Sequence, residues 1–259
     1  MNGLEHFFAL ARRAIVNTTR QPAMIVPSIG FPLIFLAMSS AALDRATLLP
    51  GFPEVDSFVQ WAISATIVQG ILFGAVAAGT DMARDVEGGF FERLIASPVS
   101  RTAILAGRVA GAATLAFVQV WIFFGIVSLF GVDFAGGLAG VVLISLGAAL
   151  LAAGFGSITA GLALRTGSAE AVQGSFPLIF VFLFLSSAFF PRTLMNGWFE
   201  TVASLNPLSY LIEGFRYQVI TGFDLGEWLV SVGIGAGILT FGLGTGYLAL
   251  NGRLKAAHL

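Results

Sequence analysis

Cysteine is absent from the sequence, which excludes disulfides, thiol nucleophiles and cysteine-ligated metals but says nothing about compartment. Charge is scarce as well: Asp, Glu, Lys and Arg make up 10% of the residues, against about 25% in ordinary soluble domains. With a net charge of -1, no basic field points toward nucleic acid. Only two histidines occur, His6 and His258, at opposite ends of the chain and outside its apolar runs. No imidazole is therefore available within the membrane for a Ser/His hydrolase or a metal site. No GxxxxGK[ST] stretch is present, so the chain does not cradle a nucleotide phosphate by that device and does not hydrolyse ATP alone.

What the chain does have is hydrophobic residues, 57% of the total. A membrane-spanning helix needs about 20 predominantly apolar residues. Six runs qualify: 23–43, 58–79, 109–132, 138–164, 172–190 and 228–250. Their cores contain no Asp, Glu, Lys or Arg, the residues that ion-coupled transporters place in the membrane to carry the coupling ion. Transport powered by the chain itself is disfavoured, and so is a membrane enzyme.

The distribution of positive residues orients the runs, because Arg and Lys in short loops collect on the cytoplasmic side. Arg12, Arg13 and Arg20 precede the first run, Arg84, Arg93, Arg101 and Arg108 lie between the second and third, Arg165 follows the fourth, and Arg253 and Lys255 follow the sixth. The opposite set holds only Arg45, Arg192 and Arg216 amid eight acidic residues. Both termini are thus expected in the cytoplasm of a multi-pass protein of the cell membrane.

Before the first run, Leu4, Phe7, Phe8, Ala11, Ala14 and Ile15 fall on one side of a helical wheel, and Glu5, Arg12, Arg13 and Arg20 on the other. Residues 1–22 read as an amphipathic helix lying in the membrane interface or packed on the protein itself. The segment lacks a signal peptide's order of basic head, apolar core and cleavage site, so it is expected to remain in the mature protein. Residues 23–252 then form the transmembrane domain.

Two segments interrupt the apolar pattern. Between the second and third runs, "EGGFFERLIASPVSRTAILAGR" places Phe90, Phe91, Leu94 and Ile95 on one helical face and Glu92, Arg93, Ala96 and Ser97 on the other. Pro98 ends that helix and Ser100 caps the next, giving a cytoplasmic helix-turn-helix within 81–108. Between the fifth and sixth runs, residues 193–216 are apolar enough to enter the bilayer but are broken by Asn206 and Pro207. Irregular backbone at membrane depth has to be buried in protein or face water. A re-entrant outer hairpin of two short helices is expected, with Glu213 and Arg216 on one face of its second arm, neutralising each other in part.

Within the runs, Gln69, Gln119 and Gln173 read as interhelical hydrogen-bonding groups, and Gly70/Gly74, Gly107/Gly111, Gly233/Gly237 and Gly242/Gly246 allow close helix approach. Phenylalanine dominates the aromatics, with 25 Phe against 4 Trp and 3 Tyr. A phenylalanine surface offers apolar contact and attraction to cations without hydrogen bonds, which suits a greasy, cationic molecule better than a sugar. Phe31 and Phe35 on the first run and Phe176, Phe180 and Phe184 on the fifth recur at helical spacing.

Two blocks resemble a known family. "FGAVAAGTDMARDVEGGFFERLIASPVSRTAILAGR" is similar to the cytoplasmic segment of ABC-2 type permeases, in which an acidic, glycine-containing stretch precedes an E/D-R-L-x-x-x-P-x-S-R element. "RTGSAEAVQGSFPLIFVFLFLSSAFFPRTLMNGWFETVASLNPLSYLIEGFR" resembles the second half of the daunorubicin-resistance branch, including its "NPLSY" turn. With the span pattern, the resemblance covers nearly the whole chain. It implies an all-α half-transporter of six transmembrane helices that pairs with a second copy and receives two separate ATP-binding subunits. ATP and Mg would sit on those partners, and this chain would hold no cofactor of its own. The resemblance further implies that the segment between spans two and three docks on the ATPase, braced by the N-terminal helix. Glu87, Phe91, Glu92, Arg93, Leu94, Pro98 and Arg101 match the docking region by position. The first and fifth spans would flank the dimer axis, making Phe31, Phe35, Phe176, Phe180 and Phe184 candidates for the cargo path. The expected activity is export of amphipathic small molecules such as drugs or antibiotics, with export of a lipid-linked polysaccharide or a lipid, or a non-transporting scaffold, as alternatives.

Overall fold

A computed structural model of the chain describes residues 3–97, 99 and 101–256. All regular structure among them is helical, apart from short 3-10 turns, and there is no strand. The helices are α1 (Gly3–Thr19), α2 (Pro22–Leu43), α3 (Phe58–Glu87), α4 (Phe90–Ile95), α5 (Arg101–Ser128) and α6 (Gly137–Thr166). They continue as α7 (Ala169–Gly174), α8 (Phe176–Phe184), α9 (Gly197–Leu205), α10 (Pro207–Ile220) and α11 (Leu225–Ala256).

Five of these helices, α2, α3, α5, α6 and α11, are long and apolar enough to cross a membrane. The remaining expected span, 172–190, takes a different form. Its apolar residues fall into the short pair α7 and α8, which together cover Ala169–Phe184 and break at Ser175. Pro177 sits in the first turn of α8, where its missing amide costs nothing, but it cannot continue a helix arriving from α7. Gln173, expected as a buried interhelical group, is exposed at the end of α7.

The core is built around α3, whose residues are mostly buried along its length. Phe58, Ile63, Ile67, Ile71 and Leu72 are almost fully sequestered between α5, α6 and α10. Near α3's second end, a second apolar cluster gathers Met82, Phe91, Ile104, Leu105, Val172 and Leu250. The glycines divide sharply. A Cβ on Gly242 would lie 2.2 Å from the Gly154 carbonyl oxygen and one on Gly107 would lie 2.5 Å from the Leu10 Cβ, whereas Gly233 and Gly237 face open space. Close approach thus decides α11 against α6 and α1 against α5.

The N-terminal helix packs on the protein through this contact: Ala11 and Ala14 are buried beside Gly107 and Gly111 of α5. Phe8 is turned outward, 63% exposed, so an apolar surface remains available on the far side.

Helices α9 and α10 meet at Asn206 and Pro207. Asn206 caps α10 by accepting from the Leu208 amide at 2.9 Å, and Pro207 begins the helix. The 14 residues of α10 rise about 21 Å at 1.5 Å each, short of the ~30 Å of a bilayer core. Asn206 also donates to the carbonyls of Phe182 at 2.7 Å and Leu185 at 3.0 Å, and Arg216 donates to those of Ser187 and Ala188. These two side chains therefore satisfy the carbonyls freed where α8 stops, which a helix end buried away from water requires.

The expected mutual neutralisation of Glu213 and Arg216 takes another form. Glu213 forms its ion pair with Arg192, whose Nε lies 2.8 Å from the carboxylate. Arg216, 4% exposed, instead stacks 3.5 Å over the Trp61 ring and binds carbonyls, because the backbone beyond α8 supplies acceptors that Glu213 does not need to replace.

Candidate functional site

At the end of α3 far from Trp61, helix α3 projects beyond its apolar run and carries Asp81, Arg84, Asp85 and Glu87. The spacing of four sets Asp81 and Asp85 on one face, toward α1 and α5. Asp85 accepts a two-pronged contact from Arg13 of α1, both distances 3.0 Å, and pairs with Arg108 of α5. Arg108 is 7% exposed and also donates to the Asp81 carbonyl oxygen at 2.8 Å. Asp81 accepts from Asn17 at 3.0 Å and from Gln21 at 3.0 and 3.2 Å. One carboxylate pair thus ties the N-terminal helix to two long helices. The pair with Asp85 and the hydrogen bond to the Asp81 carbonyl compensate part of the cost of burying Arg108.

From this base the chain turns at Gly88 and Gly89, the latter at φ 67, into α4. The positive φ suits glycine and lets the chain reverse within two residues. Phe91 anchors α4, 1% exposed, with Leu94 and Ile95 packed beside it. Phe90 lies under the Arg13 guanidinium at 3.9 Å. Glu92 and Arg93 occupy the exposed face, as the wheel of residues predicts. Glu92 is engaged by Arg253 of α11 at 3.1 Å, and Arg253 also donates to the Leu164 carbonyl at 3.2 Å. Arg93 has no ion-pair partner among the described residues; the Phe90 ring, 6.0 Å away, is its near aromatic.

Glu87 is exposed, yet its carboxylate accepts from the Ala169 amide at 2.8 Å, at the start of α7. Beside it, Ser168 Oγ donates to Glu170 at 2.7 Å, and this hydrogen bond holds the Glu170 carboxyl below its ordinary value. Glu87, Phe91, Glu92, Arg93 and Leu94 are thereby brought together. Pro98 and Ser100 lie outside the described residues, as does the side chain of Arg101. Sequence reasoning missed Asp81, Asp85, Arg108 and Arg253 as partners. The i, i+4 acidic pair was the available signal, but nothing local names Arg108 or Arg253.

The phenylalanines form a second assembly. Phe31 lies 5.3 Å from Phe73 of α3 and 6.2 Å from Phe180, measured between ring centres. Phe73 contacts Phe176 at 4.6 Å, Phe180 contacts Phe184 at 5.6 Å, and Phe189 joins Phe184 at 4.9 Å and Phe35 at 5.4 Å. The five expected residues thus belong to one aromatic ladder between α2 and α8, completed by Phe73 and Phe189. Phe31 and Phe184 remain 45% and 43% exposed along it.

These features occur in a chain of which residues 5–220 match the family model described as ABC-2 type transporter. The chain belongs to the ABC-2 type transporter family. The ycf38 protein of Porphyra purpurea, named for a transport permease role, is 31% identical over 216 residues, 83% of this chain and 74% of that protein. The daunorubicin resistance ABC transporter permease protein DrrB1 of Streptomyces coeruleorubidus is 28% identical over 211 residues, 79% of this chain and 71% of its own. The inner membrane transport permease YadH of Escherichia coli K12 is 27% identical over 204 residues, 75% and 74% of the two chains. This ABC-2 chain is accordingly a membrane protein, and its family supplies the membrane subunits of transporters whose ATPases are partners.

Proposed function

We propose that this ABC-2 chain is the permease subunit of an ATP-driven exporter of amphipathic small molecules, working as a pair with two ATP-binding subunits on the cytoplasmic side. The observation that carries the reading is the architecture of α4: Phe91 is buried and Glu92 is held by Arg253, while the Arg93 side faces outward. A helix fixed on one face and free on the other suits a surface that receives force from a partner. In this reading Glu87, Phe91, Glu92, Arg93, Leu94, Pro98 and Arg101 form the docking region, both termini are cytoplasmic, and α7 with α8 serves as a sixth, broken span. Helices α9 and α10 enter the outer leaflet as a re-entrant hairpin.

Cargo chemistry rests on the phenylalanine ladder and on the drug-resistance names of relatives such as DrrB1. Its rings offer an apolar, cation-tolerant surface, and its exposed edge would meet the second copy along a shared path. Co-purification with an ATP-binding cassette subunit encoded beside this chain tests the reading. A stable complex is expected, and failure of every such subunit to associate would return the chain to the scaffold alternative.

A further inference from the structure

At the end of α3 opposite the docking region, a cleft of about 330 Å³ opens beside α10. Its lining includes Trp61, Arg192, Glu213, Arg216 and Tyr217, with Ile220 and prolines among the apolar remainder. Its charged groups are two arginines and one carboxylate. Glu213 is engaged by Arg192, so the excess positive charge belongs to Arg216. That residue has carbonyls and the Trp61 face for company but no carboxylate within ion-pair distance among the described residues. Arg216 and Trp61 are each more than nine-tenths buried, and each keeps one N–H donor, Nη1 and Nε1 respectively, without a hydrogen-bond partner.

A buried charge whose nearby carboxylate is already paired with another arginine is costly, and so is a buried donor without an acceptor. Both residues line one cleft, whose size suits a small ligand group, and the two unpartnered atoms lie closed to solvent behind its surface. We infer that this cleft is a binding site for an oxyanion of the phosphate type, held by the field of Arg216 and Arg192 over the Trp61 ring. The attraction is one of charge, since Nε and Nη2 of Arg192 are taken by Glu213 and those of Arg216 by backbone carbonyls. The oxyanion is carried either by the headgroup of an anionic lipid or by free phosphate. The inference stands apart from the transport reading, since binding at this end requires neither ATPase nor cargo.

The test uses the full chain in detergent, with Trp121, Trp198 and Trp228 replaced by Phe so that Trp61 alone reports. It is titrated with short-chain phosphatidylglycerol, with phosphatidylcholine and with inorganic phosphate, and bound lipid is counted by native mass spectrometry on the unaltered chain. Saturable binding of phosphatidylglycerol identifies the lipid as the source, and saturable binding of inorganic phosphate identifies the free ion. Arg192→Gln, which cancels the excess charge, should weaken binding roughly tenfold, and Glu213→Gln, which doubles it, should tighten binding. Both variants break the same ion pair, so a merely structural role would move them in the same direction. That outcome, equal binding of phosphatidylcholine, or no saturable response in either assay would overturn the site.

Discussion

The carboxylate of Glu87, at the last turn of α3, accepts a hydrogen bond from the amide of Ala169, 82 residues further along the chain. This contact connects the proposed docking region to the start of α7 and hence to the phenylalanine-bearing α8. A carboxylate at a helix N-terminus is favoured by the free amides and the helix dipole. Glu87→Ala should cost only about 1 kcal/mol of stability, because the site is exposed and one hydrogen bond is lost. It should nevertheless reduce cargo-stimulated hydrolysis more than it weakens ATPase association, with Glu87→Gln intermediate. Hydrogen exchange at 169–174 checks the mechanism: protection should fall in Glu87→Ala.

Arg93 and Glu92 should behave differently, although they are neighbours on one exposed face. Arg93 has no ion-pair partner among the described residues, so the effect of Arg93→Glu should be confined to ATPase association, where reversing a docked charge adds repulsion. Glu92→Arg also faces Arg253 within the chain. Combining Glu92→Arg with Arg253→Glu should restore part of the fold's stability but not the association, measured by thermal unfolding and co-purification side by side.

The amphipathic faces of α1 and α4, five of the long helices and the break at Asn206–Pro207 are legible in the sequence because each is written in local periodicity or in a proline. The partners are not. Nothing near Phe91 or Glu92 names Arg253, and nothing near Trp61 names Arg216, because those contacts form only when distant helices pack. The 172–190 run reads as one span by hydropathy, since Pro177 is apolar and its backbone effect is invisible to an average. Gly242 is marked as a contact by the Gly154 carbonyl and Gly237 is not, a distinction that spacing within α11 does not carry.

Asp85 should matter far more than its exposed partner. Asp85→Asn leaves Arg108 buried without its carboxylate, a loss of about 3 kcal/mol or more by the usual cost of breaking a buried pair. Arg13 is 40% exposed in its side chain, so Arg13→Gln should cost about 0 to 1 kcal/mol. Unfolding curves of the two variants, compared with the unaltered chain in one detergent, check the ratio.

The aromatic ladder predicts a change of selectivity without a loss of basal turnover. Phe180 touches four other rings and Phe35 two, so Phe180→Ala should alter the stimulating compounds more than Phe35→Ala. Hydrolysis rates across a panel of lipophilic cations and neutral amphiphiles check this order.

The central claim is that this chain couples an external ATPase to the movement of amphipathic molecules. The direct measurement is ATP hydrolysis by the permease and ATPase reconstituted together in vesicles, with and without lipophilic cations. The account predicts a stimulated rate that depends on the permease and disappears in Arg93→Glu. A rate indifferent to every lipophilic compound, yet raised by a lipid-linked glycan, would contradict it.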